Sequence, residues 1–96
     1  MAVNHMVWLR FKSDVSAERV AQHLAALRSL LQRVPGIRDL TLGANFTDRA
    51  NGYTHALSVL MENKAALTAY ATHPAHVEVA TALRRDADIL ALDYEY

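Results

Sequence analysis

Five histidines and four tyrosines are the side chains of this chain best suited to moving protons. Imidazole, with an unperturbed pKa of about 6.5, can take and release a proton near neutrality. A histidine beside a tyrosine in an apolar pocket can abstract a proton α to a carbonyl while the phenol steadies the enolate oxygen. Tyr70, His73 and His76 are spaced three apart around Pro74, whereas His5 and His55 sit in alternating runs far away in the chain. Cysteine is absent, which removes thiolate nucleophiles, disulfides, iron–sulfur clusters and cysteine-ligated zinc together.

The elements that must bring these residues together follow from hydropathy periods. Val3 to Lys12 alternates, with His5, Val7, Leu9 and Phe11 on one face and Met6, Trp8 and Arg10 on the other. Ser16 is the expected N-cap of a helix from Ala17 to Gln32, whose stripe is Val20, Leu24, Leu27 and Leu31. Val34-Pro35-Gly36 stops it. Ile37 to Phe46 and Tyr53 to Met61 are expected strands joined through Asn51-Gly52, with Phe46 continuing the face of Leu40, Leu42 and Ala44. On the third strand His55 shares the parity of Leu57 and Val59. Asn63 is positioned to cap a short helix to about Thr72. Pro74 then opens another, roughly to Arg85, with Val77, Ala80 and Leu83 inward. Asp86-Ala87-Asp88 is an expected link, and Ile89 to Tyr94 a last strand.

This order is α+β, a ferredoxin-like βαββαβ sandwich occupying residues 1–96 as one domain. Its two crossovers share a hand, so both helical layers cover the same sheet face. Met6, Trp8 and Leu60 point the other way and would stay exposed unless a second copy covers them, so a homodimer and a dimeric α/β barrel are expected. On the helix side, His5, His55, Tyr70 and His76 are expected to converge on one pocket, walled by Val7, Leu9, Leu24, Leu27 and Val59. Asp93 is a candidate to orient one imidazole.

Bulk properties exclude several classes. Apolar residues make up 52% of the chain and charged residues 21%, an ordinary globular balance. Ten basic and ten acidic side chains cancel, and no basic run exceeds Arg84-Arg85, which argues against nucleic acid. No apolar stretch approaches the roughly 20 residues of a membrane span, and the opening lacks a signal-peptide pattern. The expectation is a cytoplasmic protein that binds a small molecule, without nucleic-acid or membrane partners. A phosphate loop, a nucleophile elbow and a dinucleotide fingerprint are absent. His73 and His76 lack a carboxylate at a recognisable spacing, so no side-chain metal site is expected.

The opening Met1-Ala2-Val3-Asn4-His5-Met6-Val7-Trp8-Leu9-Arg10-Phe11-Lys12 resembles the first strand of stress-responsive dimeric α/β-barrel proteins. Gly52-Tyr53-Thr54-His55, Tyr70 with His73-Pro74-Ala75-His76, and Leu92-Asp93-Tyr94 match that family in order and spacing. The family includes a plant polyketide cyclase that closes a linear polyketide by intramolecular aldol chemistry without a cofactor. The resemblance implies His76 as acid/base, Tyr70 as the residue polarising the carbonyl, His5 and His55 as pocket histidines, and Asp93 as the aspartate of the last strand. It departs at the walls, where Leu24 and Leu27 stand in place of aromatics. Some relatives hold magnesium through backbone carbonyls after the first helix, here around Leu31, Val34 and Ile37.

The chemistry expected is therefore a cofactor-independent, polyketide cyclase-like closure of a β-keto substrate. Two alternatives stand beside it: a stress-associated homodimer without turnover, and a cofactor-free monooxygenase of the related barrel type. For His76 the plainer role is to tie the helix break to nearby carbonyls, and for Tyr70 to be a core residue with its hydroxyl on the backbone. His73 is expected to cap the last helix and His23 to lie at a solvated helix edge.

Overall fold

A computed structural model describes all of residues 1–96. The alternating run at the start forms β1 (Val3–Phe11). Its odd-numbered residues Val3, Val7 and Leu9 are buried beneath helices. Ser16 caps α1 (Ala17–Arg33), its hydroxyl accepting the Arg19 N–H at 3.1 Å. The helix buries Leu27 and Leu30 on the sheet and ends at Val34, whose N–H donates to Leu30 O. Gly36 then turns the chain at φ 89°, a conformation that disfavours a side chain. A Cβ there would also lie 2.9 Å from that of Ala66.

β2 (Ile37–Ala44) and β3 (His55–Met61) pair antiparallel, with a bulge between Ile37 and Asp39. Both strands are shorter than their hydropathy suggests. Asn45 ends β2 early because its side chain accepts from Thr47 and donates to the Thr47 carbonyl, a local turn that competes with the ladder. Phe46 is consequently 94% exposed instead of continuing the apolar face. Asn51 and Gly52 make the expected tight turn, at φ 53° and 86°.

Asn63 caps α2 (Lys64–Thr72), accepting from Ala66 N–H at 2.9 Å. His73 separates it from α3 (Pro74–Asp86), and its Nδ1 accepts the Ala75 N–H at 3.1 Å, so it caps the last helix as expected. The buried stripe of α3 is Ala75, Val79, Ala80 and Leu83. Val77, expected inward, is exposed: Pro74 fixes the start of the helix so that Ala75 faces the core, and positions 79 and 83 follow it at intervals of four. β4 (Ala87–Glu95) begins directly after the helix. The expected link at residues 86–88 does not exist, because Ala87 and Asp88 already pair with Phe11 and Arg10 of β1.

The sheet order is β2-β3-β1-β4, a ferredoxin-like α+β arrangement with all three helices packed over one face. Leu9, Leu30, Val59 and Met61 are fully buried in that single layer. Each contributes about 1.5–3 kcal/mol relative to an exposed position. On the bare face Trp8, Leu90, Leu92 and Tyr94 are exposed, and Met6 and Leu60 are half-buried. No helix is long and apolar enough to cross a membrane.

Candidate active site

β1 and β4 run in a register that sets His5 opposite Asp93. Both project to the helix side, and His5 Nδ1–H donates to the Asp93 carboxylate. The His5 ring meets Tyr70 edge-on, with centroids 5.7 Å apart. Tyr70 belongs to the last turn of α2 and His76 to the first turn of α3, and the bend at His73-Pro74 folds one over the other with centroids at 4.2 Å. These three rings line a cavity of about 150 Å³.

The hydrogen bonds leave specific atoms free. A carbonyl oxygen can only accept, so His76 Nδ1 carries the proton in its 3.2 Å contact with Ala71 O, and Nε2 keeps its lone pair. Burial pushes the His76 pKa below its ordinary value, and the nearby charges of His5, Arg84 and His73 act in the same direction. The imidazole is therefore a neutral acceptor at pH 7. Tyr70 is only 2% exposed, and burial raises its phenol to about 12. Its hydroxyl makes no hydrogen bond within the chain and yet is not among fully occluded, unpartnered atoms. The hydroxyl is thus open at the cavity wall rather than tied to the backbone.

Of the expected wall residues, Val7 and Leu27 line this cavity. Leu9 and Val59 do not, because they are wholly buried in the core. Leu24 lies one helical turn short of it on α1. Arg84 was missed as a wall residue, although His76, Ala80, Leu83 and Arg84 recur at helical spacing and all reach the cavity.

His55 does not join the other histidines. Its parity is as expected, but it pairs with Leu9, four residues along β1 from His5, and so occupies the opposite end of the sheet. There it packs edge-on against Phe11 at 5.3 Å and donates through Nδ1 to Thr54 Oγ1 at 2.9 Å. Burial lowers its pKa. It lines a larger, shallower concavity of about 680 Å³ between the 45–54 loop and the bare face, together with Trp8, Tyr53 and Leu90. That space offers one imidazole and the Tyr53 phenol, whereas the smaller one brings two imidazoles against its phenol.

His23 is not at a solvated edge either. It stacks near Phe11 and its Nε2 lies 2.6 Å from Oδ2 of Asp86, a carboxylate only 6% exposed that also accepts from Arg19. Hydrogen bonds from His23 and Arg19 hold the Asp86 carboxyl below its usual value. This cluster clamps α1 to the end of α3, and only Asp86, placed in a supposed link, could have signalled it.

No three His, Cys, Asp or Glu side chains stand together as a metal site. At the junction after α1, Pro35 denies the Leu31 carbonyl its helical N–H, so one acceptor is free for a cation. The carbonyls of Leu31, Val34 and Ile37 would be an uncharged donor set, of the kind that suits a hard cation keeping several waters.

The chain is 30% identical over 79 residues to olivetolic acid cyclase of Cannabis sativa, covering 80% of this chain and 78% of that one. Among solved structures, the hydroxynitrile lyase of Passiflora edulis superposes with a TM-score of 0.91 at 26% identity, over 97% of this chain and 91% of that one. A dimeric ferredoxin-like protein from Jannaschia sp. CCS1 superposes at 0.87 with 27% identity, each chain covered in full. The model of the stress-responsive A/B barrel domain matches residues 3–96, and the chain belongs to that family.

Proposed function

We propose that this protein is a cofactor-independent enzyme of carbon–carbon bond chemistry, closing a β-keto substrate by an intramolecular aldol-type reaction. In this scheme His76 Nε2 takes a proton from the carbon between two carbonyls, and the electron pair of that C–H bond becomes an enolate. The Tyr70 O–H donates to the enolate oxygen. The enolate carbon then attacks a further, more distant carbonyl of the same molecule, forming the new C–C bond as that C=O π bond breaks to an alkoxide. The resulting alkoxide takes back the proton from the His76 imidazolium, and charges and atoms balance. His5, oriented by Asp93, shapes the adjacent wall.

The observation that carries this reading is the unpartnered Tyr70 hydroxyl at the wall of a cavity that also presents a neutral imidazole acceptor. Donor and acceptor are the two groups that enolate chemistry needs. The names of two relatives support an enzymatic reading, one being a cyclase and the other a hydroxynitrile lyase. We take the working form to be a homodimer joined through the bare face, with Met6, Trp8 and Leu60 extended by Leu90, Leu92 and Tyr94.

Turnover of a panel of short poly-β-ketones should be followed by product chromatography. His76→Ala should keep its fold and lose about 10²–10⁴ in rate. An unaltered product profile in that variant would favour the non-catalytic homodimer instead. Oxygen consumption coupled to product would favour the monooxygenase.

A further inference from the structure

Arg84 reaches the wall of the His5–Tyr70–His76 cavity from α3. All six ion pairs within the chain involve other residues, and its guanidinium donates no hydrogen bond to the protein. It stands two helical turns after His76, about 12 Å along the axis, and a helical side chain leans back toward the N-terminus, which brings the guanidinium toward the imidazole. The rest of the lining is mostly apolar, including Val7, Leu27, Leu57 and Leu83. A planar, permanently charged fork at the edge of an apolar pocket matches a carboxylate bidentately.

We propose that Arg84 is a specificity-determining residue that binds the carboxylate of an anionic β-keto acid, placing its ketone and acidic carbon against Tyr70 and His76. The inference rests on the enzyme reading above and narrows its substrate class. Volume narrows it further. A cavity near 150 Å³ holds a group the size of benzene, so the part of the substrate inside is small. Arg84 is the one permanently charged side chain lining the cavity, beside His5, Tyr70 and His76, and the nearby carboxylate of Asp93 is engaged by His5. A neutral diketone of the same size would leave the guanidinium without a partner.

The test compares acetoacetate with pentane-2,4-dione, a neutral molecule of similar size, by ligand-observed NMR titration of the full chain. The native protein should bind acetoacetate roughly ten- to hundredfold more tightly, as expected for one charge-assisted contact. R84Q should lose that preference while keeping its affinity for the dione, and R84K should retain part of it. Glutamine is a good helix former, and circular dichroism checks that the fold is kept. Equal affinity of the native protein for both probes, binding of neither, or an unchanged preference in R84Q would each overturn the proposal. Loss of the preference in R84Q, with no turnover of any ketone by the native protein, would sustain the binding role of Arg84 and remove the enzymatic one.

Discussion

Tyr70 and His76 divide the work that one side chain cannot do, and their environments set the division. The phenol, pushed to about 12, remains a donor throughout the physiological range. Tyr70→Phe should therefore lower turnover about 10²–10³-fold, as when one oxyanion donor is removed. Its melting temperature should change little, because no protein hydrogen bond is lost. The imidazole of His76 is held below 6.5 in the folded chain. The unfolded chain thus binds this proton more readily, and the contribution of His76 to stability falls as pH drops below 6.5. The same shift puts the acid limb of kcat/KM below pH 6.5, and a limb at or above that value would show that another group is the base. The folded pKa of Asp86 is depressed as well, so its contribution to stability has the same sign of pH dependence, at lower pH. Its folded pKa lies below 3.8, so the stability it supplies is complete above that value and is lost as pH falls through the folded pKa. D86N should melt below the native protein at pH 7, and thermal melts at successively lower pH should see that gap close.

At the scale of elements, parity was legible and position along the strand was not. Alternation assigned His5 and His55 to the helix side correctly, because a strand offers only two faces. It carried no information on register, and the pairing of Leu9 with His55 sends that imidazole to the far end of the sheet. Helix starts were readable where a side chain is the cap, as at Ser16, Asn63 and His73. Ends set by tertiary pairing were not, which is why β4 takes in Ala87 and Asp88. The site itself was half legible: the Tyr70–His76 pair follows from the break at Pro74, whereas Arg84 becomes meaningful only once α3 is placed over β1. One junction is open to a direct test of packing. Gly36→Ala combines a left-handed backbone with a contact at 2.9 Å against Ala66. A loss of about 2 kcal/mol or more is expected in urea unfolding, with the α2 start disturbed.

The whole molecule is two layers, helices and sheet, with the second face of the sheet left bare. Helices cover one side of the sheet, and on the other Leu92 is 57% and Trp8 41% exposed, next to Leu90 and Tyr94. Solved relatives with this fold are dimeric. If the bare face is the contact between copies, Leu92→Asp should weaken association at least about 30-fold, the equivalent of a 2 kcal/mol hot spot. Light scattering across a dilution series would show monomer at concentrations where the native chain is paired, and an unchanged mass would move the interface elsewhere. The His5–Asp93 contact lies on the other side of the same two strands.

Because α3 hands over to β4 between Asp86 and Ala87 with nothing in between, there is no slack in the backbone at that point. One inserted residue would have two ways out. Either it is squeezed out as a bulge, or it rolls the whole of β4 over by one side chain. The second outcome would swing Asp93 away from His5 and turn Leu92 toward the helices in a single step. Pocket and outer face are thus geared together, and the spacing between the last helix and the last strand is the tooth count that keeps both in mesh.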